Sequence, residues 1–239
     1  MNFVADLHIH TLASGHAYST VLEIARAAAD KGLKMIALTD HGPTMPGAPH
    51  AYHFGNQLAI PAELFGVRIL KGIEANVIDR QGKLDLDDFR ICRLDVVAAG
   101  LHTICSPYGT IEENTEMMVN AIKNPWVDII VHPGNPEFPV NEEIIVRAVA
   151  EYGVALEINN SSLTISRQGS RPHCDHIASL AKRFGAKMIL GSDSHFAYNV
   201  GDFGAAVQLL QDNDISADQV LNTSTAKIME HLGRRSNRC

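Results

Sequence analysis

The 239-residue sequence lacks long apolar runs and has few cysteines. No run reaches the ~18 apolar residues that a transmembrane helix needs, and no basic start precedes an apolar stretch, so neither a membrane span nor a signal peptide is predicted. The four cysteines form no C-x-x-C pair, which favours a reduced, cytoplasmic compartment. The formal net charge of −7 argues against a nucleic-acid-binding face.

A glycine-rich dinucleotide fingerprint is also missing after the first apolar run. Seven short apolar runs are present instead: FVADLHI, KMIALTD, VRILKGIEA, LDVVAAGLH, VDIIVHP, VALEINN and KMILGSDSH. Helical patterns lie between them, at residues 20–31, about 56–65, 112–123, 141–151, 173–184 and 203–211. Thr20 and Glu23 are predicted to form a capping box at the start of the first. This alternation predicts βα units and a parallel sheet. Seven strands suit a closed or nearly closed barrel, and we expect one domain over residues 1–239, with the last six or so residues forming a frayed tail.

Twelve histidines are present, and their positions are more informative than their number. Six of the seven apolar runs carry a potential metal ligand at or near their C-terminal end. In a parallel barrel all these ends share one rim, where active sites are built. Because side chains alternate along a strand, His8 and His10 point to the same face.

Several imidazoles and two carboxylates cannot share a half-buried pocket without compensation. Neutral imidazole nitrogen and carboxylate oxygen are good ligands for zinc, manganese or iron. A catalytic zinc ion takes about three protein ligands, so nine candidates suit two or three ions. The candidates are His8, His10, His16, His41, Glu74, His102, His132, Asp193 and His195.

These residues lie in motifs that resemble the PHP family, named for polymerase and histidinol phosphatase domains. The motifs are DLHIHT, TDHG, GIEAN, LH at 101–102, VHPGN and GSDSH. HAYST, LTDHGP and ALEINNSS are similar to the YcdX-type bacterial phosphatases within that family. The resemblance covers nearly the whole chain.

The resemblance implies a distorted (β/α)7 TIM-like barrel with its active site at the C-terminal strand ends. It also implies a trinuclear centre, usually of zinc, with Mn²⁺ or Fe²⁺ as other possible ions. The first ion would be held by His8, His10, Glu74 and Asp193. The second would share Glu74 as a bridge and take His102 and His132, and the third would take His16, His41 and His195. A homotrimer is a further implication.

On this interpretation the chain is a phosphatase that hydrolyses small phosphorylated metabolites. A metal-bound hydroxide would be the nucleophile, so no protein nucleophile is needed. Asp40 and Asp6 are candidates to orient a ligand imidazole, although Asp40 could instead cap a loop and Asp6 could tie the barrel together. Asn159, Arg167 and Arg171, at or beyond the end of the sixth run, are candidate substrate contacts.

Three other functions remain open at this stage. A metal-dependent amidohydrolase uses a similar barrel, but it usually binds one or two ions. A phosphodiesterase or exonuclease of the PHP type would need a basic track for its substrate, and this chain is acidic. A closed structural metal site would be expected to use cysteine. His50 and His53, between the second run and its helix, either line the pocket or lie on the surface.

Overall fold

A sheet of parallel strands lies at the centre of the computed structural model, which describes residues 1–234. The strands are β1 (Ala5–Asp6), β2 (Met35–Leu38), β3 (Glu63–Leu64), β4 (Val67–Asn76), β5 (Val96–Gly100), β6 (Ile129–Ile130), β7 (Ala155–Asn159) and β8 (Met188–Gly191). Seven of them pair in parallel in the order β1, β2, β4, β5, β6, β7, β8. The short β3 is antiparallel to β4.

The first and last strands approach each other, so the sheet is nearly closed into a barrel. Beyond the strand ends, the N–H of Asp193 donates to the carbonyl of His8 at 3.0 Å. The N–H of His10 donates to the carbonyl of Ser194 at 2.9 Å. The barrel-like fold of parallel strands and surrounding helices confirms the predicted fold class, and the closure is formed by segments that carry candidate metal ligands.

Asn222 links β1 to β8 from the other side of this seam. Its Nδ2 donates to the carbonyls of Ala5 and Leu190, each at 2.9 Å. Its Oδ1 accepts the N–H of Leu190 at 2.7 Å. The buried amide therefore takes the place of ladder hydrogen bonds that the two strands would otherwise leave unmade.

Helices surround the sheet: the first six lie between strands, and the last two follow β8. They are α1 (Val21–Asp30), α2 (Tyr52–Asn56), α3 (Asp88–Ile91), α4 (Ile111–Lys123), α5 (Glu142–Tyr152), α6 (Ser170–Phe184), α7 (Gly204–Asp212) and α8 (Thr225–Gly233). The capping box predicted for α1 is confirmed, because the hydroxyl of Thr20 accepts the N–H of Glu23 and the Glu23 carboxylate accepts the N–H of Thr20. The predictions for α1, α4, α5, α6 and α7 agree with the structure to within a few residues.

The helix predicted over residues 56–65 is wrong. α2 ends at Asn56, a 3₁₀ turn follows, and β3 occupies residues 63–64. Pro61 has no N–H to continue a helix. Phe65 and Gly66 both have positive φ, 53° and 77°, which forms the two-residue hairpin turn between β3 and β4.

Two apolar layers bury the sheet. The barrel interior holds small and branched side chains from alternate strand positions, such as Ala5, Leu7 and Ala98, and α8 covers it with Ile228 and Leu232. The outer layer lies between the strands and the surrounding helices. Because the apolar packing fills the interior below the rim, the polar candidates are confined to the C-terminal ends of the strands.

No helix within residues 1–234 combines the length and apolar character needed to cross a membrane. The predicted frayed tail falls almost wholly on residues 235–239, which lie outside the described residues.

Candidate metal centre

The structure brings the nine candidate ligands together at one end of the barrel. Glu74 belongs to β4, and the others lie just beyond the carboxyl ends of strands or in the loops that follow them. The contributing segments follow β1, β2, β5, β6 and β8. The clustering arises because parallel strands place all their carboxyl ends on one rim.

The carboxylate of Glu74 lies at the centre of this cluster, and it is fully buried. Its Oε1 lies 2.8, 3.1 and 3.4 Å from the Nε2 atoms of His132, His102 and His8. Its Oε2 lies 2.7 Å from Nδ1 of His41 and 3.5 Å from Nε2 of His10. The two oxygens therefore face different imidazoles, which is the arrangement that a bridging ligand needs.

His8 and His10 form a second close group with Asp193. The two Nε2 atoms are 3.1 Å apart, and Oδ1 of Asp193 lies 3.2 Å from Nε2 of His10 and 3.6 Å from Nε2 of His8. Two nitrogens bound to one tetrahedral zinc at about 2.0–2.1 Å are separated by about 3.3 Å. The spacing of these atoms fits a shared ion.

His16, His41 and His195 surround a third point closer to the surface. The ring of His16 lies 4.9 Å from that of His41 and 5.0 Å from that of His195, between centroids. His10 also approaches this group, at 4.4 Å from His41 and 4.3 Å from His195. His16 is exposed and His195 is partly exposed, so this group is open to solvent on one side.

Glu157, on β7, orients the buried imidazole of His8. Its Oε1 lies 2.6 Å from Nδ1 of His8, and its Oε2 accepts the N–H of His132 at 2.8 Å. A Cβ at Gly191 would lie 1.8 Å from this carboxylate, so only glycine fits there. The sequence alone predicts no role for Glu157. Its position on the same strand face as Asn159, at the end of a strand without a histidine, was the available signal.

Neither Asp40 nor Asp6 contacts the ring of a candidate metal ligand directly. Asp40 accepts hydrogen bonds from the N–H of Thr11 and from the hydroxyl of Ser14, each at 2.7 Å, and that hydroxyl contacts Nδ1 of His10 at 3.1 Å. Asp40 thus acts on His10 only through Ser14, and it also caps the loop.

Asp6 contacts no imidazole of the cluster. Its carboxylate accepts the backbone N–H groups of His8, Ser192 and Gly201, which joins the segments at the seam of the barrel. Burial raises the pKa of Asp6 to about 6, although these hydrogen bonds oppose the rise.

The three candidate substrate contacts are placed differently from one another. Arg167 lines the cavity described below, and its Nη1 donates to Oδ2 of Asp193 at 2.9 Å. Arg171 lies on the surface, where it pairs with Asp175 and Asp212. The amide of Asn159 makes hydrogen bonds inside the protein through both its nitrogen and its oxygen, and it does not line the cavity. Neither Arg171 nor Asn159 therefore reaches the open side of the cluster.

The carboxylates of the cluster are held in their ionised form. Burial alone would raise the pKa of Glu74, but the charges of His41 and His102 outweigh it and hold that pKa well below its usual value. Burial likewise opposes ionisation of Asp193, and the charge of His8 again outweighs it and lowers the pKa.

Three of the buried imidazoles in the cluster have lowered pKa values. Burial, aided by the charge of His41, lowers the pKa of His10 to about 3. Burial and the charge of Arg167 lower the pKa of His132 to about 3. His8 is the exception: burial lowers its pKa, but Glu157 and the other carboxylates raise it well above the usual value. Ionised carboxylates beside the neutral imidazoles of His10 and His132 are the protonation states that metal ligands require, whereas His8 would have to lose a proton to bind an ion.

The donor set fits divalent metal ions. Oε2 of Glu74 is buried and, although Nδ1 of His41 lies 2.7 Å away, it accepts no hydrogen bond from any described residue. A buried carboxylate oxygen in this state is costly unless a cation satisfies it. Three groups of ligand atoms are compact enough to hold an ion: His8, His10 and Asp193; His41, Glu74 and His102; and His10, His41 and His195. Imidazole and carboxylate ligands suit zinc, manganese and iron.

Backbone strain is concentrated around this cluster. Among the described residues other than glycine, five have positive φ, and three of them are His132, Arg167 and Asp193, at 35°, 44° and 54°. Such conformations cost about 1–3 kcal/mol each and persist where the surroundings fix them, commonly at functional sites. Here the strain positions two candidate ligands and the arginine beside them.

A cavity of about 620 Å³ opens onto the cluster. His16, His41, His102, Asp193 and His195 form the part that belongs to the cluster, and Arg167 lies beside them. The remainder is lined by polar side chains such as Asn135, Asn160 and Ser161, and by apolar ones such as Met45, Ile165 and Phe196. The volume is in the range of small-molecule sites.

The remaining histidines lie away from the cavity. His53 contacts Asp40 at 3.2 Å and is half-buried, and His50 is exposed, so neither lines the cavity. His173 and His176, on α6, both contact the carboxylate of Glu142. His231 lies in α8, where its Nε2 contacts the carbonyl of Asp128.

Comparisons with known proteins agree with this architecture. The PHP domain model matches residues 6–222. The chain is 49% identical over 238 residues to a probable phosphatase of Acetivibrio thermocellus, with 100% of this chain and 98% of that protein covered. It is 48% identical over 239 residues to a probable phosphatase of Caldanaerobacter subterraneus subsp. tengcongensis, with 100% and 94% covered.

A solved structure shares the fold at low identity. It is the histidinol phosphate phosphatase of Lactococcus lactis subsp. lactis, complexed with zinc, L-histidinol and phosphate. The TM-score is 0.61 and the identity is 17%, over 89% of this chain and 94% of that one. The PHP domain model matches nearly the whole chain, and the two relatives are almost 50% identical to it. This chain therefore belongs to the PHP domain family.

Proposed function

We propose that this protein is a metal-dependent phosphatase that hydrolyses small phosphomonoesters at a centre of three zinc ions, with Mn²⁺ or Fe²⁺ as alternatives. The observation that carries this proposal is the buried carboxylate of Glu74, whose two oxygens face different imidazoles beneath an open cavity. The relatives named probable phosphatases support it, as does the Lactococcus lactis protein, which binds zinc and phosphate.

The nine ligand residues would be divided among three ions. His8, His10, Glu74 and Asp193 would hold the first. Glu74 would bridge to a second held with His102 and His132, and His16, His41 and His195 would hold the third. Three divalent ions and two carboxylates sum to about +4 (three times +2, minus 2), so this end of the barrel would attract a phosphate group strongly.

When bound, the ions would supply Lewis acidity and a water of lowered pKa as the nucleophile. The residues of the chain would set the geometry. Glu74 would fix the spacing of two ions, while Glu157 would hold the ring of His8 in one orientation through its 2.6 Å contact. Because the cluster supplies the nucleophile, no serine or cysteine side chain is required to attack phosphorus.

Arg167 would bind the phosphate of the substrate. One of its terminal nitrogens contacts Asp193 and the hydroxyls of Ser162 and Ser166. A guanidinium has five N–H donors, so donors remain for an anion in the cavity that Arg167 lines. The contact to Asp193, a candidate metal ligand, would hold the guanidinium beside the metal centre.

A comparison of two chromogenic substrates tests the proposal. Metal-free protein, reconstituted with zinc or manganese, should hydrolyse p-nitrophenyl phosphate and leave bis(p-nitrophenyl) phosphate nearly untouched. Three bound ions per chain, counted in the same preparation, would agree with the proposal. Preferential cleavage of the diester would show a phosphodiesterase instead, and one or two ions with no phosphatase activity would favour an amidohydrolase.

A matched pair of arginine variants tests the phosphate contact. Arg167→Ala should lower kcat/KM for p-nitrophenyl phosphate by about 10- to 100-fold, because a charge-assisted hydrogen bond contributes about 1.5–3 kcal/mol. Arg171→Ala removes the same side chain from a surface ion pair and should leave kcat/KM within about twofold of the wild type. Equal effects of the two changes would contradict the role of Arg167.

The homotrimer implied by the family resemblance remains a prediction. Light scattering of the purified protein would test it directly.

A further inference from the structure

Two asparagines on the wall of the cavity offer hydrogen-bond donors that no residue within 1–234 uses. Asn135 follows β6 and Asn160 follows β7, and both line the cavity. They are buried, with exposed fractions of 7% and 4%. A buried amide normally has its hydrogen bonds satisfied, so a free donor at such a position requires an explanation.

In each amide the oxygen is occupied and the nitrogen is free. Oδ1 of Asn135 accepts the N–H of Glu137, and Oδ1 of Asn160 accepts the N–H of Ala206, both at 3.1 Å. A backbone N–H can only donate, so it fixes which end of the amide is the oxygen. No described residue accepts from either Nδ2, and neither nitrogen is sealed from the cavity.

The neighbouring Asn159 shows the contrast. Its Nδ2 donates to Glu157 at 3.0 Å and to Asp193 at 3.2 Å, and its Oδ1 accepts from Ser162. That amide is fully used in bracing the cluster. The amides of Asn135 and Asn160 are each held through the oxygen by one backbone N–H, and their NH₂ groups remain available to whatever occupies the cavity.

The charges on the cavity wall indicate which acceptor these donors suit. The exposed carboxylates of Glu137 and Asp202 line the outer part of the cavity, and they would repel a second anionic group on the substrate. The hydroxyl-bearing side chains of Thr103 and Ser161 also line it. Neutral oxygen acceptors, such as hydroxyl groups, therefore suit this wall better than a carboxylate does.

We propose that Asn135 and Asn160 determine specificity by recognising the alcohol part of the substrate, and that this part is a neutral polyhydroxy group, as in a sugar or polyol phosphate. This inference rests on the proposed phosphatase function. The phosphate would lie at the metal centre, and the hydroxyl groups would accept from the two amides. A plain alkyl group would leave both buried donors unsatisfied, which a site of this kind penalises strongly.

The test compares three primary phosphomonoesters: D-ribose 5-phosphate, n-butyl phosphate and 3-phosphoglycerate. We expect the metal-loaded wild type to have a kcat/KM for ribose 5-phosphate at least about tenfold above that for butyl phosphate. Its kcat/KM for 3-phosphoglycerate, which carries an additional carboxylate, should be lower than that for ribose 5-phosphate.

The variants address each amide. Asn160→Ala and Asn135→Ala should each reduce the ratio of kcat/KM for ribose 5-phosphate to kcat/KM for butyl phosphate by about tenfold. Asn160→Asp keeps an oxygen for the N–H of Ala206 but has no donor, so it should reduce the ratio even if the alanine variant folds poorly. Asn56→Ala, at the end of α2 where the side chain makes no capping hydrogen bond, is the matched control and should leave the ratio unchanged.

The outcomes separate this inference from the function beneath it. Equal rates for the sugar and alkyl esters, an unchanged ratio in Asn160→Asp, or a preference for 3-phosphoglycerate would overturn the inference while the phosphatase function stands. If the metal-loaded wild type hydrolyses none of the three esters and no p-nitrophenyl phosphate, the proposed function fails, and the inference fails with it.

Discussion

Replacement of Glu74 by glutamine is the most informative single change in the proposed centre. Glutamine keeps the size of the side chain and removes its charge. Two ions would each lose an anionic ligand that lies fully buried among imidazoles. Breaking a buried charge pair costs about 3 kcal/mol or more, which corresponds to roughly a hundredfold in each dissociation constant.

The assay is metal counting by elemental analysis after dialysis against buffered zinc. At a free zinc concentration about ten times the wild-type dissociation constant, occupancy should fall from about 0.9 to about 0.1 at each of two sites. Glu74→Gln should therefore lose about 1.6 ions per chain, from the two sites together. Glu63→Gln, an exposed glutamate on β3, is the control and should lose none. Loss of a single ion, or of none, would refute the bridging role.

Three further changes test the surroundings of the site and the fold. Glu157→Gln should weaken zinc binding about 10- to 100-fold, because the ring of His8 loses its charged partner. Isothermal titration calorimetry measures the affinity, with Glu151→Gln, at an exposed position, as the control. An unchanged zinc affinity in Glu157→Gln would contradict the prediction. Asn222→Ala should lower the free energy of unfolding by about 3 kcal/mol, since three buried hydrogen bonds are lost. Urea denaturation measures this free energy, with Asn56→Ala as the control. A loss below about 1 kcal/mol would show that the seam does not depend on this amide. Thr20→Ala should cost about 1 kcal/mol through the loss of the cap on α1, whereas Thr20→Ser should recover most of it in the same assay.

The sequence was sufficient to predict where the metal candidates meet. Strand positions are marked by apolar runs, and in parallel sheets the carboxyl ends share one rim. Residues as distant in the chain as His8 and Asp193 could therefore be assigned to one cluster without knowledge of any loop. The predicted capping box of α1 depended on local contacts between Thr20 and Glu23, and local contacts are the ones that a sequence pattern describes best.

Contacts that depend on the direction of a single side chain were not predictable. Asn159 and Asn160 are adjacent and identical in type, yet one braces the cluster and the other lines the cavity. The difference arises from the end of β7, where the strand alternation stops at Asn159. Arg171 is only four residues beyond Arg167, but it belongs to α6 and pairs on the surface.

The role of Asp40 was hidden for a related reason. Its link to His10 passes through the hydroxyl of Ser14, which lies in a 3₁₀ turn after β1. Nothing in the spacing of these residues indicates that the turn folds back onto the loop after β2. The helix expected over 56–65 failed because its apolar pattern is interrupted by Pro61 and by a hairpin turn at Phe65.

Anomalous diffraction at the zinc edge, from crystals of the zinc-loaded protein, tests the central claim most directly. Three peaks should appear at the C-terminal rim of the barrel, within about 2.0–2.2 Å of imidazole nitrogens and carboxylate oxygens. Two of them should share Glu74. A map with no peak within bonding distance of Glu74 would contradict the proposed metal centre and the phosphatase function built on it.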